Sequence, residues 1–103
     1  MVTITGNVGS TGKYLVTGIP VDTKTPAVMK IAFQNNTSGT NLALCAGTTA
    51  NFTAGTVGTQ LSDSGGPGFQ FLTIIDVSLL NGQVIYVLRM VGSADSSFTI
   101  NIE

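Results

Sequence analysis

Histidine and tryptophan are absent from this chain, and cysteine occurs once, at Cys45. Without a second Cys no disulfide forms within the chain, and without His or paired thiolates the usual transition-metal sites are nearly excluded. Charge is scarce too: four Lys plus Arg stand against five Asp plus Glu, a formal net charge of -1. So weak a basic balance leaves no electrostatic footprint for DNA, RNA or anionic lipid. No apolar run approaches the ~18–20 residues that a spanning helix needs. The opening Met1-Val2-Thr3-Ile4-Thr5-Gly6 lacks the cationic, apolar, small-residue order of a secretory signal. No metal, cofactor, nucleic acid or membrane insertion is therefore expected.

What is present is hydroxyl and amide. The 103 residues fit a single domain, 1–103, and carry 15 Thr, 8 Ser and 7 Asn. Charged residues make up 9%, against about 25% in an average domain. Mean hydropathy is nonetheless +0.40. A free domain of low net charge relies on mixed surface charge to stay apart from its neighbours. Two readings follow. Either a neutral, hydroxyl-rich surface is soluble enough, or part of the surface is buried against other subunits.

The residue pattern is β almost throughout. Val2, Ile4, Gly6 and Val8 alternate with Thr3, Thr5 and Asn7, the period of two of a half-buried strand. A second strand is predicted over about Lys13 to Val21, interrupted by Gly18 and closed by Pro20. A third spans about Ala27 to Gln34 and ends at the turn cluster Asn35-Asn36-Thr37-Ser38-Gly39. Leu42, Leu44 and Ala46 alternate with Ala43 and Cys45 in a fourth. From Gly47 to Gly68 the chain is rich in Gly, and Phe52, Val57 and Leu61 are its large apolar residues. Phe52-Thr53 reads as a short strand within an otherwise irregular, projecting segment.

The C-terminal third is the most apolar part. Phe69 to Leu80 and Gln83 to Val91 flank Asn81-Gly82, the dipeptide of a type I′ hairpin turn. Phe69, Phe71 and Ile75 share one face of the first run, and Leu72 and Ile74 the other. A strand apolar on both faces is central or is covered by a partner. Counting outward from the turn places Asp76 diagonal to Arg89, a cross-strand pair. Phe98, Ile100 and Ile102 alternate in a last strand. No segment shows capped helical periodicity. Seven to eight short strands predict an all-β fold, a small antiparallel sandwich or jelly-roll-like barrel without significant helix.

Motifs that suggest chemistry fail on their missing partners. Asp63-Ser64-Gly65-Gly66-Pro67 resembles the nucleophile segment of chymotrypsin-like serine proteases over five residues of 103, yet no His is present to take the serine proton. Gly9-Ser10-Thr11-Gly12-Lys13 is similar to a phosphate-binding loop. Asn7 stands where that loop needs its first Gly, and Tyr14 where it needs Ser or Thr. The acids Asp22, Asp63, Asp76, Asp95 and Glu103 show no paired spacing. Cys45 has no His or basic neighbour in its strand to activate it. The triplets starting at Asn35, Asn36 and Asn51 match the glycosylation pattern but read as turns.

These absences argue against an enzyme, since acid–base work needs His or a tuned carboxylate pair. The expectation is a structural subunit of an assembly: a virion decoration, capsid-cement or head-fibre type protein, or a filament subunit, on a virion or extracellular surface. Its partners would be further copies of itself or a host particle such as a capsid. Thr56, Val57, Thr59, Leu61, Pro67 and Phe69 are the candidate partner contacts, and Asn81, Gly82, Asp76 and Arg89 the structural residues. The alternative is a lectin-type module that binds sugar through Asn and Thr side chains on the Gly47–Gly68 loop, with Tyr14 or Tyr86 stacking on the rings. A fragment of a longer fibre or adhesin is a third option.

Overall fold

The computed structural model describes residues 2–19, 28–64 and 70–103. The strands are β1 (Val2–Val8), β2 (Lys13–Val16), β3 (Val28–Asn35), β4 (Asn41–Gly47), β5 (Thr59–Ser64), β6 (Phe71–Asp76), β7 (Val84–Val91) and β8 (Ser96–Ile102). One short helix, α1 (Thr49–Ala54), lies between β4 and β5, and a 3₁₀ turn (Val77–Leu80) follows β6. Two four-stranded antiparallel sheets result, in the orders β1-β8-β3-β6 and β2-β7-β4-β5. We call them sheets A and B. The pairs β1 with β8, β2 with β7, β3 with β6 and β4 with β5 are nested, as if one long hairpin were rolled up across two sheets. That is jelly-roll topology, and the all-β sandwich expectation holds.

The core lies between the sheets. Val8, Phe98, Ile100, Ile102, Ile31 and Phe33 from sheet A meet Val16, Val87, Ile85, Leu42 and Leu44 from sheet B. Gly6 makes room for this packing on β1. A Cβ there would lie 2.6 Å from Phe98 Cζ and 2.8 Å from Tyr14 Cζ, and those two rings meet edge to face at 5.2 Å.

The proposed hairpin does not form. β6 belongs to sheet A and β7 to sheet B, so neighbours in sequence lie in opposite layers. Asn81-Gly82 explains why. Asn81 has φ -64 and ψ 114, Gly82 has φ 72, and the Gln83 N–H donates to Leu80 C=O at 3.0 Å. This is a type II turn, which needs positive φ at one position, whereas type I′ needs it at two. Type II geometry splays strands rather than pairing them. Asp76 and Arg89 accordingly do not pair. The Asp76 carboxylate accepts from the Ser78 N–H at 2.9 Å, capping the 3₁₀ turn. Arg89 Nη1 donates to Val8 C=O at 3.1 Å and Ala94 C=O at 3.0 Å, joining β7 to the ends of β1 and the β7–β8 turn.

The segment after Gly47 is more ordered than its composition suggests. Phe52-Thr53 sits in α1, not in a strand. Thr48 and Asn51 cap the helix reciprocally, Asn51 N–H to Thr48 Oγ1 at 3.1 Å and Thr48 N–H to Asn51 Oδ1 at 3.0 Å. Thr59 and Leu61 lie in β5. The second strand ends at Val16 rather than Val21, and 20–21 lie outside the described residues. α1 also accounts for the two-sided apolarity of β7: Phe52 packs against the outward Ala43, Cys45, Tyr86 and Leu88.

Candidate functional site

β6 is an edge strand of sheet A, hydrogen-bonded on one side to β3. Its alternation turns Phe71, Thr73 and Ile75 toward sheet B, in register with Phe33, Ile31 and Met29. Leu72, Ile74 and Asp76 therefore point outward, in register with Ala32, Lys30 and Val28. Nothing in the described chain covers this outer face. Leu72 is 77% exposed, Ile74 65% and Val28 68%, where large aliphatic side chains are usually buried. Ala32, between Leu72 and Asn101 in the sheet, floors a groove of about 410 Å³ bounded by Lys30, Gln70, Leu72, Asn101 and Glu103. Apolar side chains thus gather on one face, beside a strand whose outer edge pairs with no other described strand.

The electrostatics of this face are sparse. Lys30 stands between the apolar positions, and its backbone pairs with Glu103, N–H to C=O at 3.3 Å and the reverse at 3.0 Å. The Asp76 carboxyl is held below the usual carboxylate range by the Ser78 N–H and then by the Ser78 hydroxyl. The patch can bury apolar area and pair its main chain, and it offers no cluster of titratable groups. Among the described residues, no three His, Cys, Asp or Glu come together. Cys45 is buried beneath α1, and burial pushes its thiol up to about 11.

Of the residues expected to contact partners, the four that are described lie elsewhere. Thr56 and Val57 are exposed in the link from α1 to β5, and Thr59 is exposed on β5. Leu61 packs partly against the core, and its carbonyl accepts from Thr73 Oγ1 at 2.7 Å. Pro67 and Phe69 lie outside the described residues. The apolar face on β6 and β3 does not include any of the four that are described. The signal that could have found it was in the alternation, which already set Leu72 and Ile74 opposite Ile75. What was missing was that this strand is at an edge. Tyr14 and Tyr86, suggested for sugar stacking, are committed inward: Tyr14 packs on Phe98, and Tyr86 is fully buried beside Phe52.

A second cavity of about 360 Å³ opens between the end of β2 and the start of β7, walled by Leu15, Val16, Ile19, Leu80 and Ile85. Compared with protein-family models, with curated proteins and with solved structures, the chain matches none.

Proposed function

We propose that this chain is a non-enzymatic structural subunit that acts by self-association of its β-sandwich. The observation that carries the reading is the outward pair Leu72 and Ile74 on an edge strand, with Val28 beside them. Exposed apolar patches of this kind mark interaction surfaces. The scarcity of charge, 9% of residues, fits subunits whose contacts are depleted in charge at their centres. The particle in view is a virion, with this chain as a capsid-decoration, cement or head-fibre type protein. A surface filament is the other setting. Jelly rolls recur in viral capsid domains and in lectins, an analogy of fold that leaves function to the surface.

Native mass spectrometry over a range of concentrations tests the reading. Oligomers should appear and should persist in 1 M salt, where screening shortens to ~3 Å, because apolar burial drives them. Leu72→Glu should return the chain to monomer while leaving its β circular dichroism intact. A wild-type chain that stays monomeric at every concentration overturns the proposal. A glycan array with specific binding by that monomer would favour the lectin-type alternative.

A further inference from the structure

The two sheets have four outer strands, and three of them carry some device that discourages pairing with another chain. β5 is broken by a register shift opposite Leu44/Cys45 and bears Asp63. β2 is 4 residues long and starts with Lys13. β1 turns Thr3, Thr5 and Asn7 outward, all exposed and polar. β6 is the least guarded: its one charge, Asp76, stands at its last residue. It contains no Lys and no Pro, and its register against β3 runs unbroken from Phe71 to Asp76. Flat, apolar edges without such guards pair with further strands.

We propose that β6 pairs antiparallel with β6 of a second copy, with Thr73 on the two-fold axis. This deepens the assembly reading and rests on it. In this register Leu72 of each copy faces Ile74 of the other on the outer side. On the inner side Phe71, which points toward the core yet is 42% exposed, faces Ile75 of the second copy. Every large apolar residue of the strand then meets another. Moving the axis to Leu72 would set Ile74 against Gln70, and moving it to Ile74 would set Leu72 against Asp76. The charges agree with the Thr73 axis as well. Asp76 falls opposite Gln70, Lys30 stays one strand away, and no like charges meet across the seam. An apolar edge thus meets its own complement, with its one charge set opposite an amide, as an isologous two-fold contact requires.

Cross-linking by position tests the pairing. Leu72→Cys and Ile74→Cys chains are prepared separately; both sites are exposed, so the fold is retained, and buried Cys45 does not compete. Oxidation of an equimolar mixture should give a covalent dimer joining the two variants. Each variant alone should give several-fold less, because like positions are diagonal, about 7–8 Å apart, beyond the usual reach of a disulfide. Equal cross-linking of either variant alone overturns the register. Wild-type oligomers without a mixture-specific cross-link overturn the β6 seam and leave the assembly reading standing. An open series of oligomers in native mass spectrometry, without that cross-link, points to β6 meeting β1 instead. A monomer throughout overturns the pairing and the reading together.

Discussion

The hydroxyl of Tyr86 is held by Gly58, whose N–H donates to it at 2.9 Å, while the same hydroxyl donates to Thr56 C=O at 2.7 Å. One side chain on the central strand β7 thus fastens the link between α1 and β5. A Cβ on Gly58 would come 2.6 Å from Ala46 O, so the link also lies tight against β4. Tyr86→Phe keeps the ring against Phe52 and removes both hydrogen bonds. The expected cost is about 1–3 kcal/mol, because two hydrogen bonds go and the Gly58 N–H loses its acceptor. Amide exchange should rise at Gly58 before it rises in β7, and unchanged exchange at Gly58 would count against the clamp.

Gly6 is held small by rings rather than by backbone conformation. Gly6→Val should destabilise by about 1–3 kcal/mol through overpacking against Phe98 and Tyr14. Phe98→Leu combined with Gly6→Ala should show a favourable coupling in a double-mutant cycle read by thermal denaturation. Strict additivity would mean that the clash is relieved elsewhere.

Ile74 and Val87 should now behave oppositely, although both lie in the apolar C-terminal third. Val87 is fully buried, and Val87→Ala should cost about 2–4 kcal/mol. Ile74→Ala in the monomer should fall within about 0.5 kcal/mol, as surface substitutions do. Urea titration of both at low protein concentration separates them. A large loss at Ile74 under those conditions would mean that its side chain is covered within the monomer.

The type II turn makes a similar contrast at adjacent positions. Gly82→Ala forces a side chain to φ 72 and should cost about 1 kcal/mol. Asn81→Ala, at φ -64, should leave the melting temperature nearly unchanged. Equal effects at both positions would restore the type I′ turn.

Cys45 gives an alkaline signature. Its folded thiol titrates at about 11, raised from 9.0 by burial, so the native state holds its proton where the unfolded state releases it. That contribution is complete below pH 9.0 and is lost as pH rises through about 11. Cys45→Ala should flatten this part of the decline in stability between those limits. A wild-type and variant difference that stays constant with pH would exclude the thiol as its source.

Alternation revealed the fold class because each half-buried strand repeats every two residues, as in Phe98, Ile100 and Ile102. It also set Leu72 and Ile74 on the face opposite Ile75. Neighbour relations were beyond it. Asn-Gly serves type I′ and type II turns alike, and the sign of φ at Asn81 depends on where the flanking strands go. α1 has 6 residues, too few to display a 3.6 period, and its cap closes with Asn51 where Glu or Gln is the usual signature. The Gly-rich stretch concealed β5, whose Leu61 and buried Ser62 belong to the sandwich. Deleting 55–68 should therefore damage the fold, not merely loosen assembly.

The place of β8 between β1 and β3 sets an order of events. The first strand has no partner in its own sheet until the eighth arrives, so sheet A cannot close before β8 has been made. The innermost pair, β4 with β5, closes the shortest loop, and each pair outside it spans more sequence. Folding should therefore start near Gly47 and progress outward, at the millisecond-to-second pace of non-local β topologies. It should finish with the insertion of Phe98, Ile100 and Ile102 as a plug between two waiting strands.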